Sequence, residues 1–68
     1  MTLVNDSDKT KFRCVIEDDT AVGFYLYVFE KITGECLGDY LQDSLEMAKK
    51  QAEEEYGAIL DGWVDTCL

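Results

Sequence analysis

A chain of 68 residues in which 15 Asp and Glu face 6 Lys and Arg has a net charge of −9. It offers no basic footprint, so direct binding to DNA, RNA or an anionic membrane is not expected. At this length one domain over residues 1–68 is expected, burying roughly 60% of its unfolded surface; 47% apolar and 31% charged residues, with no proline, describe a globular rather than a disordered chain.

Residues 1–10 (MTLVNDSDKT) read as a frayed lead-in, since Asn5, Asp6, Ser7 and Asp8 are turn formers. Next, KFRCVIE alternates. Phe12, Cys14 and Ile16 fall on one side and Lys11, Arg13, Val15 and Glu17 on the other, the pattern of a half-buried strand. DDTAVG, residues 18–23, reads as a loop that continues the acidic run of Glu17, Asp18 and Asp19.

The stretch GFYLYVFEKI, residues 23–32, reads as a strand that is apolar on both faces. Phe24, Leu26 and Val28 point one way, and Tyr25, Tyr27 and Phe29 the other. Gly34 in TGE marks a tight hairpin turn, and CLGDYLQ is a weaker third strand whose Gly38 signals a bulge or a close backbone approach.

DSLEMAKKQAEEEYG is the clearest helix. Asp43 or Ser44 can cap its start, with Asp43 and Glu46 at capping-box spacing. Leu45, Ala48, Ala52 and Tyr56 form one apolar stripe, Glu46 and Lys50 stand at i,i+4 on the exposed side, and Gly57 occupies the place of a left-handed C-cap. AILDGWVDTCL then supplies a short strand around Trp63. The expected fold is α+β: a three-stranded antiparallel meander with one helix on one face (β-β-β-α), followed by a short fourth strand.

DYLQDSLEMAKKQAEEEYG resembles the strand-to-helix segment of a family of small, uncharacterised bacterial proteins with the run D-x-x-x-x-S-L-E-x-A-K-x-Q-A-x-x-E-[FY]-G. Asp39, Ser44, Leu45, Glu46, Ala48, Lys49, Gln51, Ala52, Glu55, Tyr56 and Gly57 carry the match, and Trp63 fits the family's tail tryptophan. That resemblance implies a topology and no activity. CVIEDDTAVGFYLYV together with DSLEMAKKQAEEEY also resembles the N-terminal domain of HicB-type antitoxins, which implies the same order of elements. The chain departs from that pattern in having no proline, and no counterpart of the antitoxin's DNA-binding tail is read in it.

Few residues are suited to chemistry. Without histidine, Ser-His-Asp and Cys-His systems cannot be assembled, and TGECLGD lacks the lysine and the context of a phosphate-binding loop. Cys14, Cys36 and Cys67 are odd in number and widely spaced, unlike a disulfide framework, and no C-x-x-C pair offers zinc ligands. Buried reduced thiols are expected for Cys14 and Cys36, and an exposed one for Cys67. Asp6, Asp8, Thr10 and Glu17 fall at calcium-loop spacing, but Lys11 stands where such a loop needs glycine and the segment runs into a strand. Neither metal nor cofactor is expected. The clusters 17–19 and 53–55 read as solvated carboxylates.

No basic, apolar N-terminal leader and no run near the ~20 residues of a membrane span is read, so a reducing cytoplasm is the expected compartment. The remaining feature is the second stripe of the aromatic strand. Tyr25, Tyr27 and Phe29, with Val15 and Tyr40 nearby, are covered either by the segment holding Ile59, Leu60, Trp63 and Val64 or, where that segment pairs at the sheet edge, by another chain. The candidate partner-binding set is Tyr25, Tyr27, Phe29, Tyr40, Trp63, Glu17, Asp18 and Asp19. The expected function is that of a non-enzymatic acidic interaction module for a basic protein, inhibitor- or antitoxin-like. The alternative is a homodimer using the same face.

Overall fold

A computed structural model of the protein describes residues 1–66. Five strands and a helix follow in the order β1 (Thr2–Asn5), β2 (Phe12–Asp19), β3 (Gly23–Glu30), β4 (Cys36–Gln42), α1 (Leu45–Tyr56) and β5 (Trp63–Asp65). The strands form one antiparallel sheet in the order β4-β3-β2-β1-β5, so the α+β class holds while the sheet is larger than the expected three-stranded meander. One correction and one expected strand account for the difference. Thr2–Asn5 is not a frayed lead-in but pairs along β2, with Leu3 opposite Ile16 and Asn5 opposite Cys14. The segment around Trp63 does not cross the aromatic face of the sheet; it joins the edge as β5, pairing Val64 with Val4 and Trp63 with Asn5.

The hairpins are set by local chemistry. Between β2 and β3 the Asp19 carboxylate accepts the Ala21 amide at 3.0 Å and its carbonyl accepts the Val22 amide at 3.1 Å. Gly23 follows with φ 131°, and a Cβ there would stand 2.5 Å from the Gln42 carbonyl oxygen of β4, so both the backbone angle and the space demand glycine. Between β3 and β4, Gly34 adopts φ 75° and its amide reaches the Glu30 carbonyl at 2.8 Å. The Glu30 carboxylate accepts from the Thr33 hydroxyl and from the Ile32 and Thr33 amides, and these bonds hold it below the usual carboxylate range.

Ser44 caps α1 by accepting the Met47 amide at 3.2 Å, so the cap is Ser44 and not Asp43. At the other end Gly57 turns left-handed (φ 72°), and the Ala52 carbonyl accepts the amides of Gly57 and Ala58. Lys50 pairs with Glu54, at 3.9 Å, rather than with Glu46.

The helix lies on the face formed by Cys14, Ile16, Leu26 and Val28. Ala48 and Ala52, both 0% exposed, let it approach closely, and Leu45 and Tyr56 extend the stripe as expected. Tyr56 meets Phe12 edge-on at 5.4 Å, and its hydroxyl is hydrogen-bonded to that of Tyr40. Beyond the helix the chain returns over β1, where Asn5 Nδ2 donates to the Ile59 carbonyl at 2.7 Å. Cys14 is buried, and burial pushes its thiol up to about 11 against the opposing effect of Lys31. Cys36 is exposed, contrary to expectation, because its position opposite Phe29 places it on the side of the sheet away from the helix. Cys67 lies outside the described residues. Among those residues no helix is long and apolar enough to cross a membrane.

Candidate interaction face

Strand alternation places every second residue of the sheet on the side without a helix. Strand pairing aligns these residues in rows. One row runs Val64, Val4, Val15, Tyr27, Asp39; the next runs Thr2, Glu17, Tyr25, Leu41; a third sets Arg13 beside Phe29 and Cys36. Among the described residues no other element packs on this side: the helix contacts β2, β3 and β4 from the opposite one. Tyr25, Tyr27 and Phe29 are each partly exposed, and Leu41 (51%) and Val64 (61%) more so. The Tyr25 and Tyr27 rings stack with centroids 5.9 Å apart and planes at 18°, giving the centre of the face a fixed aromatic surface.

Of the residues expected here, Tyr25, Tyr27, Phe29 and Glu17 do share the open face. Asp19 lies at its hairpin end and is occupied by the turn. Asp18 pairs opposite Phe24 and so belongs to the helix side. Tyr40 and Trp63 are corrections of the same kind: Tyr40 is opposite Leu26, Trp63 opposite Asn5, and both pack against the core. The cause for Tyr40 is a bulge. Phe29 pairs with Cys36 but Val28 with Gly38, leaving Leu37 as the extra residue. Continuing from the turn without it would have set Tyr40 opposite Tyr25; one added residue moves Tyr40 to the helix and brings Asp39 and Leu41 onto the aromatic face. Asp39, Leu41, Val4 and Val64 are thus members of the face that sequence reasoning missed. Gly38 was the signal available for the first two.

The charges on this face are unequal in their commitments. Asp6 gathers the nearby cations, with Lys31 Nζ at 3.1 Å and Arg13 Nε at 3.9 Å, and Lys31 also donates to the Ser7 carbonyl. Asp6 is thus held by two cations in the segment that suggested a calcium loop, and among the described residues no group of three or more His, Cys, Asp and Glu is placed to hold a metal ion. Glu17 and Asp39 form no ion pair among the described residues. Both act on Tyr27, whose hydroxyl is pushed above its ordinary range by partial burial first, then by Glu17, Tyr25 and Asp39. A groove of about 480 Å³ beside Tyr27 is lined by Val15, Tyr27 and Phe29, by Glu17 and Glu30, and by the Asp6–Arg13–Lys31 group.

An apolar, aromatic sheet face with unpaired carboxylates can bind by burial and charge attraction. No protein-family model, curated protein or solved structure matches the chain.

Proposed function

We propose that this protein is a non-enzymatic interaction module that docks a basic protein on the open sheet face, acting as an inhibitor- or antitoxin-like acidic partner in a reducing, cytoplasmic setting. The observation that carries the reading is the aromatic face itself. Among the described residues no element covers Tyr25, Tyr27 and Phe29, which stay partly exposed because β5 joins the sheet edge. A contiguous apolar patch rimmed by charge is the usual makeup of a binding surface. The net charge of −9 and the unpaired Glu17 and Asp39 favour a cationic occupant. Pairing of the face with a second copy would bring the carboxylates of both copies into one interface at a cost in desolvation and repulsion, so the homodimer ranks second.

The test is capture from an extract of the native host by immobilised wild-type protein and by a Tyr27→Asp variant, at low and high salt. The expected result is a basic protein retained by the wild type, lost by the variant and released by salt. Equal capture by both proteins, or no stable partner, would refute the reading.

A further inference from the structure

We propose that the groove beside Tyr27 is a subsite for an arginine side chain of the partner, its stem lying on Val15 and Phe29 and its guanidinium between the Tyr27 ring and the Glu17 carboxylate. This rests on the reading that the face docks a basic protein, and it assigns the group recognised there.

Three observations converge. The groove, about 480 Å³, is lined by Val15, Tyr27 and Phe29 together with charged side chains, so an alkyl stem meets apolar surface while its charged tip meets a carboxylate. Its own cations are drawn aside: Arg13 and Lys31 both turn to Asp6, at 3.9 and 3.1 Å, so they do not pair with Glu17, and the lining carboxylates Asp6, Glu17 and Glu30 outnumber the two cations. Tyr27 is held in place by its stack on Tyr25 at 5.9 Å, and its cross-strand neighbour Asp39 adds negative potential over the ring. A cation set over a tyrosine ring gains from the ring's negative face, more so where water is excluded.

Guanidinium suits these partners better than ammonium. It is flat, so it stacks on the ring. It is weakly hydrated, so it loses less on entering the groove, and it donates paired N–H groups to one carboxylate. A lysine ammonium keeps its water more strongly and offers no plane to stack.

The experiment is a titration of the isotope-labelled full chain, followed by amide chemical shifts, with the capped peptide Gly-Gly-Arg-Gly-Gly and its lysine and citrulline analogues. The arginine peptide shifts Val15, Glu17, Tyr27 and Phe29 and binds about tenfold more tightly than the lysine peptide, and the uncharged citrulline peptide leaves the face unchanged. Glu17→Gln, an exposed substitution that keeps the fold, weakens the arginine peptide about tenfold. Tyr27→Leu, which keeps an apolar floor, also weakens it. Equal binding of the lysine peptide at these residues would overturn the guanidinium assignment while leaving the docking face intact. Unchanged binding by Glu17→Gln, or no shift at saturating arginine peptide, would overturn the subsite. Shifts confined to the exposed side of α1 would overturn both the subsite and the docking face.

Discussion

Leu26 and Tyr27 are adjacent on β3 and lie on opposite sides of the sheet, so substituting each by threonine tests the division of that strand most sharply. Threonine is a good strand residue, so neither variant is penalised for a poor strand former. Leu26 is 0% exposed, packed between Ile16 and Tyr40 under α1. Leu26→Thr removes buried methyl groups, leaves a cavity against a helix held close by Ala48 and Ala52, and buries a hydroxyl. The expected loss is about 4 kcal/mol. A chain this short is stable by only a few kcal/mol, so this variant should be largely unfolded at 25 °C. Tyr27 is partly exposed, and Tyr27→Thr forfeits its stack on Tyr25 and some half-buried area, about 1 kcal/mol and about 4–8 °C in melting temperature. Urea and thermal unfolding followed by far-ultraviolet circular dichroism and Trp63 fluorescence measure both. Equal losses, or a greater loss at Tyr27, would refute the assignment of the two stripes.

Other substitutions and conditions probe separate parts of the account. Gly23→Ala should cost at least about 2 kcal/mol by urea unfolding, since it combines φ 131° with a Cβ 2.5 Å from the Gln42 carbonyl oxygen. Ser44→Ala should cost about 1 kcal/mol through loss of the bond to the Met47 amide, whereas Asp43→Ala should cost much less in the same assay. Stability should fall at alkaline pH. The folded state raises Cys14 from its ordinary 9.0 to about 11 by burial, and Tyr56 from 10.0 to about 12 through its bond to Tyr40. The unfolded chain therefore releases these protons first, and the stability they contribute is full below pH 9 and lost between about 9 and 12. Denaturation midpoints across that window check it. In a Cys67→Ser background, a thiol reagent should label Cys36 at once and Cys14 only on unfolding.

The parts of the fold legible in the sequence are those set by local pattern. The alternation of residues 12–16 and 24–29, the stripe of Leu45, Ala48, Ala52 and Tyr56, and the turn glycines Gly34 and Gly57 each need only neighbours along the chain to be read, and each stands where it was expected. What failed depends on pairing between distant segments. Thr2–Asn5 has just two apolar residues, the adjacent Leu3 and Val4, which face opposite sides of the sheet, and the turn formers after them outweigh so short a signal. Its strand exists because β2 offers an unpaired edge, and the loop tied by Asn5 to Ile59 holds the far side. The apolar segment around Trp63 can be buried over the aromatic face or paired at the sheet edge, and local pattern does not choose between them; the pairing with Asn5 decides for the edge and turns Trp63 to the helix side. Tyr40 was misplaced by a single bulged residue. That slip matters most, since it exchanges an aromatic ring for Asp39 and Leu41 and changes the face from purely aromatic to aromatic and acidic.

Hydroxyl-radical footprinting of the protein alone and in complex with the basic partner retained in the capture experiment tests the central claim most directly. The open-face account predicts that Tyr25, Tyr27 and Phe29 are oxidised in the free protein and protected in the complex, while Met47 on the exposed side of α1 reacts equally in both. Protection at Met47 with Tyr25, Tyr27 and Phe29 unchanged would contradict it.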